Sequence, residues 1–418
     1  MNHFVLIESN TTGTGAIIVE RLLARGDKVS FLTRTPEKYP FLAFKDPALE
    51  VRDVDTNCFA TVIKTIQEIH TQQAVNAVAT TSEFYVPLVA QVATALGLPG
   101  LDPVAAQTCR HKPSTRKKLR AAGLLTPDFY LVNGEKEAQE LAARIEYPCV
   151  VKPPSDSSSH GVQLVANSDE FMEHYHDIHG WKENIRGQSL DGSVLVESYL
   201  EGPEYSVETV TLPDGVTHVI GVTDKHLSQE PYFVEMGHDF PSRAPKEIQQ
   251  GLIQTVLSAL AAVNYNFGPA HTEIRWTPRG AAVIEINPRL AGGMIPELIS
   301  YAKGINLLQI WMDLLLGLPV DLTPADENSA SIRFLTANRA GQLRGVRGVD
   351  EATVIPSVRE ISVTAKPGRI VNHAADAYDR LGFVIGAGPD PNLVKKHLQE
   401  AMETIQLDLE PLECALQA

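Results

Sequence analysis

The densest run of ligand-type residues in this chain reads His271-Thr-Glu273-Ile-Arg-Trp, passes Pro278-Arg279-Gly280 and returns as Val283-Ile-Glu285-Ile-Asn287-Pro-Arg289. Ile274, Ile284 and Ile286 alternate with polar residues, so the two-residue period of a strand sends Glu273, Glu285 and Asn287 to the opposite face. A three-residue hairpin loop, with Pro opening a type I turn and Gly in the left-handed position, pairs Thr277 with Ala281 and sets Glu273 opposite Glu285. Two carboxylates about 5 Å apart on one sheet face repel each other. The simplest compensation is a hard divalent cation held by carboxylate and amide oxygens, with magnesium the natural choice. The alternative is a solvated acidic face, its register one residue away.

Other residues suited to polyphosphate chemistry surround this hairpin. Tyr147-Pro-Cys-Val-Val-Lys152 reads as a short buried strand ending in a lysine, and Ser155-Asp-Ser-Ser-Ser-His-Gly161-Val162 follows as a small-residue loop. The backbone N–H groups of such a loop can wrap phosphates. Lys112 opens a basic helix, and Lys225 begins a polar stretch to about Pro241. Each lysine alone is an ordinary surface residue. Together with the acidic hairpin they supply what a triphosphate with magnesium requires. Ser82 and Glu83 follow the third strand of the first domain, at the sheet edge where parallel α/β folds bind ligands, and are candidates to contact a substrate. Their structural alternative is a helix N-cap with a first-turn acid. His271 could steer an amine or carboxylate, or be a buried hydrogen-bonded histidine.

The elements that must position these residues follow from periodicity. Strand patterns at Phe4-Ile7, Lys28-Leu32 and Ala74-Ala79 alternate with helices around Ala16-Ala24, Ala60-His70 and Val86-Leu96, a βαβαβα order with a parallel sheet. Gly13-Thr-Gly15 after the first strand lacks the last glycine of a dinucleotide fingerprint, because Ile18 stands there, and Arg34 replaces the expected acid. A tight βα turn is favoured over a nicotinamide site. Strands at Ser193-Leu200, Tyr205-Thr211 and His218-Val222 precede an amphipathic helix after Pro245 and the acidic hairpin. Helices near Ile295-Tyr301 and Leu307-Leu316 follow, and the tail reads as a separate α+β layer closed by a helix at Pro391-Ile405.

A length of 418 residues implies about two to four domains. Acidic residues outnumber basic ones by 51 to 36 for a net charge of -15, which argues against nucleic acid or an anionic membrane as the main partner. Cys58, Cys109, Cys149 and Cys414 form no CxxC or metal spacing, so reduced thiols are expected rather than a disulfide framework or zinc site. No apolar run approaches a membrane span or a signal peptide, and a cytoplasmic protein is expected.

With these motifs in view, the chain resembles the ATP-grasp carboxylate-amine ligases over nearly its whole length, and within them most resembles the L-amino acid ligases of the bacilysin and dapdiamide synthetase type. The resemblance rests on Glu197-Ser-Tyr199-Leu200-Glu-Gly-Pro-Glu204, His271-Thr-Glu273, Glu285-Ile-Asn-Pro-Arg289-Leu-Ala-Gly292-Gly293 and Tyr378-Asp-Arg-Leu-Gly-Phe383. It implies an ATP-grasp fold of mixed α/β and α+β class. A Rossmann-like domain would span 1–105, the ATP-grasp domain 106–318 with a lid at about 148–205, and a C-terminal α+β domain 319–418. It further implies ATP and Mg2+ as cofactors. Lys112, Lys152, Ser157, Ser158, Ser159, Gly161, Val162, Glu197, Tyr199, Leu200, Glu204 and Lys225 would serve the nucleotide, and Glu273, Glu285 and Asn287 the metal. Arg289 would face the reacting acyl group and join Lys152 in catalysis, with Gly292 and Gly293 admitting substrate close to the backbone. The phosphate loop departs from many members at Ser159-His160. The implied activity is ligation of two small amino-acid-like substrates through an acyl phosphate. Rival expectations are a bicarbonate-dependent carboxylase or other ligase of this fold, a non-catalytic ATP-binding protein, and an oxidoreductase using the first domain. A homodimer through the first or last domain is a further expectation.

Overall fold

The computed structural model describes residues 1–11, 13–43, 46–228 and 230–412, and four sheets organise them. Strands Leu49–Asp53, Lys28–Thr33, His3–Ile7 and Ala77–Ala79 lie side by side in that order, all parallel. Alternate residues of the central strand serve two cores. Phe4 and Leu6 pack with Ile18 and Leu22 of helix Thr14–Ala24. Val5 and Ile7 pack with Val62 and Ile66 of helix Phe59–Gln72 and with Val92 of helix Val86–Leu96. A parallel sheet covered on both faces needs such continuous apolar strands, which is why the first hundred residues are readable as βα units. Thr80, Thr81, Ser82 and Glu83 are delivered, all buried, to the C-terminal edge of this sheet.

A second sheet orders strands Phe129–Val132, Val194–Ser198, Cys149–Lys152 and Gln163–Val165, all antiparallel. Helices Glu135–Ala142 and Ser168–His179 cover one face through Leu141, Phe171 and Tyr175. The largest sheet has the order Gly280–Asn287, Gly268–Thr277, Glu204–Thr211, Thr217–Leu227, Glu235–Phe240, Ser329–Leu335, Gly382–Gly388 and Val358–Val363. The tail was expected as a layer apart, yet three of its strands extend this sheet edge to edge beyond Glu235–Phe240. Strands Ile370–Val371, Gly341–Arg347 and Gln406–Glu410 form a small fourth sheet. Cys58, Cys109 and Cys149 are free thiols, and Cys414 lies outside the described residues. Among the described residues no helix is long and apolar enough to cross a membrane.

Two local expectations are corrected. The stretch from Asp224 continues strand Thr217–Leu227 and returns as strand Glu235–Phe240, not as a polar loop. Its central polar side chains are not solvated: Lys225 and His238 face each other in register and both are buried. Sequence polarity therefore concealed a strand whose charges are neutralised inside. In the acidic hairpin, Thr277 pairs with Gly280, so the loop has two residues where three were expected. A bulge between Glu273 and Ile274 then absorbs Ile284 and restores Glu273 opposite Glu285. Val283 takes the core position beside Ile274 and Ile286, while the half-buried Ile284 turns to the cleft.

The second sheet joins the largest one through residues 199–203. Trp276 N donates to the Pro203 carbonyl at 3.0 Å and pins this connection to the hairpin. Gly202 has φ +126°, and a Cβ there would stand 2.0 Å from the Trp276 carbonyl oxygen. Gly202→Ala should therefore lower stability by about 2–4 kcal/mol, combining backbone strain with the shift needed to clear the oxygen. Urea denaturation checks this, and an unchanged midpoint would contradict the close approach.

Candidate active site

One cleft gathers residues from the loop after the parallel sheet, the second sheet and the largest sheet. The hairpin contributes Glu273 and Glu285, directly opposed in register, and Asn287 opposite His271. Buried His271 is held by Glu208, whose carboxylate oxygens lie 2.9 and 3.1 Å from Nδ1, and its Nε2 is 3.3 Å from Glu273 Oε1. Burial opposes charge on this ring, but Glu208 and Glu273 win and raise it to about 10. His271 thus orients Glu273 as a cation. Lys112 Nζ lies 2.8 Å from Glu285 Oε1, without the alignment of a hydrogen bond to that oxygen. Burial pushes the Glu285 carboxyl up, with Glu83 and Glu273 adding to the rise against Lys112. This under-compensated oxygen, the opposed Glu273 and the Asn287 amide form a donor set that fits a hard cation. Among the described residues no group of three or more His, Cys, Asp or Glu is arranged for a metal. The fit therefore rests on two carboxylates with an amide, and suits an ion that shares its shell with phosphate and water.

Each lysine expected at the site meets a carboxylate. Lys152 Nζ is 2.6 Å from Glu197 Oε2, and the fully buried Arg116 forks onto the same carboxylate from Nε at 2.7 Å and Nη2 at 3.2 Å. Burial would raise the Glu197 carboxyl, but Arg116 and Lys152 bring it down to about 2. Lys225 touches Glu204 at 2.8 Å and Glu235 and Glu273 at 2.9 Å, which keeps it charged despite complete burial. Lys112 Nζ also donates to the Asp156 carbonyl at 2.9 Å, tying the basic helix to the serine loop.

That loop is fixed at several points. Ser157 Oγ donates to Glu83 Oε2 at 3.0 Å, Ser159 Oγ to the Phe233 carbonyl at 3.1 Å, and His160 Nδ1 meets Asp156 Oδ2 at 3.0 Å. Ser157, Ser158, Ser159 and Val162 line the cleft; Gly161 instead packs against Trp181 and Pro153. Glu83 reaches the centre. It accepts from Arg289 Nη2 at 2.8 Å and Arg110 Nη1 at 3.0 Å, and the Asn287 amide, with its nitrogen toward Glu83, donates at 3.0 and 2.8 Å. Arg289 thus pairs with the first domain rather than with the hairpin acids. Ser82 precedes the short Glu83–Tyr85 turn, makes no side-chain cap bond and stays outside the cleft wall.

Tyr199, Leu200 and Glu204 form another wall, organised by a residue the sequence reading passed over. Arg275 Nη1 donates to the Leu200 carbonyl at 2.7 Å, its Nε to Glu204 at 3.0 Å, and its guanidinium lies 5.3 and 5.2 Å from the Tyr199 and Phe233 ring centres. The alternation that selected Glu273 selects Arg275 too, two residues on. Glu235, His238 and Arg380 were also missed, the first two because their strand was taken for a loop. Gly292 and Gly293 line the cleft. A Cβ on Gly293, at φ +59°, would stand 2.6 Å from His238 Nε2, so this glycine makes room for the imidazole; Gly292 borders open space.

Three segments of the chain match known families. Residues 145–297 match an ATP-grasp domain, 26–100 an ATP-grasp N-terminal domain and 333–410 the L-amino acid ligase C-terminal domain 2. The uncharacterized protein y4rH of Sinorhizobium fredii is 29% identical over 416 residues, covering 97% of this chain and 85% of its own. An alanine–anticapsin ligase of Bacillus amyloliquefaciens is 25% identical over 272 residues, 61% of this chain and 57% of that protein's length. The crystal structure of an L-amino acid ligase from Bacillus licheniformis shares the fold, with a TM-score of 0.83 at 22% identity over 98% of this chain and 99% of its own.

His238 is fully buried, and neither ring nitrogen has a hydrogen-bond partner among the described residues. Burial lowers its pKa from 6.5 to about 3; Glu235 opposes the fall, and Lys225, Arg380 and His271 add to it. The folded ring stays neutral where the unfolded one takes a proton. Its contribution to stability is present above pH 6.5 and is lost as pH falls toward 3. The slope is up to about 1.4 kcal/mol per pH unit. His238→Gln should flatten urea-derived stability over this window, and an unaltered slope would mean that the ring is protonated in the fold.

Proposed function

We propose that this chain, an ATP-grasp protein whose residues 333–410 match the L-amino acid ligase C-terminal domain 2, joins two amino-acid-like substrates by an amide bond, cleaving ATP to ADP and phosphate. The observation that carries this reading is the meeting in one cleft of the Glu273, Glu285 and Asn287 donor set with Lys112, Lys152 and Arg289. The cleft encloses about 1320 Å3 including its mouth.

The roles follow from the chemistry of each group. Tyr199 and Leu200 flank the adenine and Glu204 takes the ribose hydroxyls, with Arg275 holding this wall in place and Lys225 pairing with Glu204 from the neighbouring strand. Lys112 and Lys152 neutralise the polyphosphate, and Ser157, Ser158, Ser159 and Val162 cover it with their backbone. Glu273, Glu285 and Asn287 would hold magnesium, which supplies charge neutralisation on the phosphate oxygens when bound. A substrate carboxylate oxygen attacks the γ-phosphorus, the bond to ADP breaks, and an acyl phosphate forms. The second substrate's amine attacks the acyl carbon as neutral NH2, phosphate departs with the bonding electrons, and the surplus nitrogen proton leaves with the phosphate. Arg289 faces the acyl oxygen, where its permanently charged planar fork stabilises the developing oxyanion. Glu83 fixes that fork. No covalent enzyme intermediate is required. In this reading residues 1–105 supply Glu83, residues 106–318 with the lid at about 148–205 supply the nucleotide and metal groups, and residues 319–418 close the cleft.

The test is release of ADP and phosphate from purified protein with magnesium and ATP across a matrix of amino-acid pairs, with mass spectrometry of the products. Pair-dependent release with a condensed product is expected. Bicarbonate-dependent release without an amine would instead favour a carboxylase. In the active pair, Glu285→Gln should reduce kcat by about 100-fold or more and raise the magnesium requirement, and near-normal turnover would remove Glu285 from the metal set.

A further inference from the structure

The motif Tyr378-Asp-Arg380-Leu-Gly-Phe383 has no task in the mechanism above, yet its arginine enters the cleft from the C-terminal segment. Arg380 lies flat over Phe334, its guanidinium carbon 3.7 Å from the ring centre. Nη2 donates to the Glu235 carbonyl at 2.8 Å and to Glu235 Oε2 at 3.0 Å. These contacts fix the plane of the fork on one side only. Nε is buried without a hydrogen-bond partner among the described residues. Arg289 Nε and both nitrogens of His238 share that condition. Arg380, Phe334, His238 and Gly293 belong to one wall: Arg380 lies on Phe334, His238 and Phe334 meet edge to face at 5.7 Å, and Gly293 fits against both.

Glu235 cannot neutralise this region alone, because its carboxylate is shared between Arg380 and Lys225. A neutral ligand would leave buried guanidinium donors unmet, which is costly. A carboxylate matches the fork and satisfies them. The phosphate-loop side of the cleft has its own cations in Lys112 and Lys152, which stand on Glu285 and Glu197. Of the two substrates in the reading above, on which this inference rests, one gives up its carboxylate to the new bond beside Arg289. The amine donor keeps its own carboxylate, and that ion must be desolvated in the cleft.

We propose that Arg380 binds the free carboxylate of the amine-donating substrate, so that the protein selects an amino acid rather than a simple amine as acceptor. Arg380 is then a specificity-determining residue, and the C-terminal segment sets which acceptors are taken.

The experiment compares an accepted amine donor with its carboxamide in wild type, Arg380→Gln and Arg380→Lys. Wild type should favour the free acid by about 30-fold or more in kcat/KM, since the amide leaves a buried guanidinium unpaired. Arg380→Gln should bring that preference to within a few-fold, chiefly through KM for the amine donor. KM for ATP and for the acyl donor should stay within about 3-fold in both variants, and Arg380→Lys should keep part of the preference. If Arg380→Gln does not turn over, thermal shifts by acid and amide in the presence of ADP give the same comparison. Equal shifts support the assignment and a retained preference for the acid overturns it. No condensed product from wild type with any pair would overturn the ligase reading. Condensation by wild type with an undiminished acid preference in Arg380→Gln would overturn the Arg380 assignment alone.

Discussion

Charge removed from water is the constraint on which this structure turns. A buried carboxylate or ammonium is tolerated only when paired and hydrogen-bonded, and here the partners come from different elements. Glu83, at the edge of the parallel sheet, holds Arg110, Arg289, the Asn287 amide and Ser157. Glu197, on the second sheet, holds Arg116 from the basic helix and Lys152 from the neighbouring strand. Lys225 gathers carboxylates from three strands of the largest sheet. Satisfying these ions and assembling the cleft are one event. Removing a partner leaves an uncompensated charge as well as a missing functional group.

The same logic extends beyond the cleft. Arg186, in the segment after helix Ser168–His179, donates to the Tyr39 hydroxyl and the Ser9 carbonyl at 2.9 Å, while Asn57 Nδ2 bonds the Arg186 and Gly187 carbonyls at 3.0 Å. The segment that follows helix Ser168–His179 is thereby fastened to the loops of the parallel sheet. Tyr39 and Thr56 in turn bond buried Glu8, whose second set of partners includes Thr33 and the Arg34 amide. The cleft is framed by polar contacts whose orientation is more exacting than that of apolar packing.

The acidic hairpin shows how a local inference can reach the right pairing by a different route. A shorter loop by itself would have placed Glu273 away from Glu285, and the bulge at Ile284 moves the register back. The bulge also gives Ile284 to the cleft and Val283 to the core. The energetic reason lies across the sheet. Glu273 must meet Lys225 and His271, and Glu285 must meet Lys112, so the register is held by ion pairs as much as by turn chemistry.

What the sequence determined by itself was local: three of the four strands and the three helices through Leu96, with the half-exposed edge strand Leu49–Asp53 unread, the lysine that ends strand Cys149–Lys152, the serine loop and the acid-bearing strand pair. These were legible because a strand period, a helix face and a turn are set by neighbours within a few residues. Only the tertiary structure decided that 235–240 would be a strand, because its polarity is compensated by Lys225, Arg380 and Arg333 from other parts of the chain. It also decided that Arg289 would face Glu83, that Arg275 would sit between Tyr199 and Phe233, and that Arg380 would reach the cleft from beyond residue 319. Each of these depends on a partner many residues away, and no local pattern records where such a partner will be once the chain has folded.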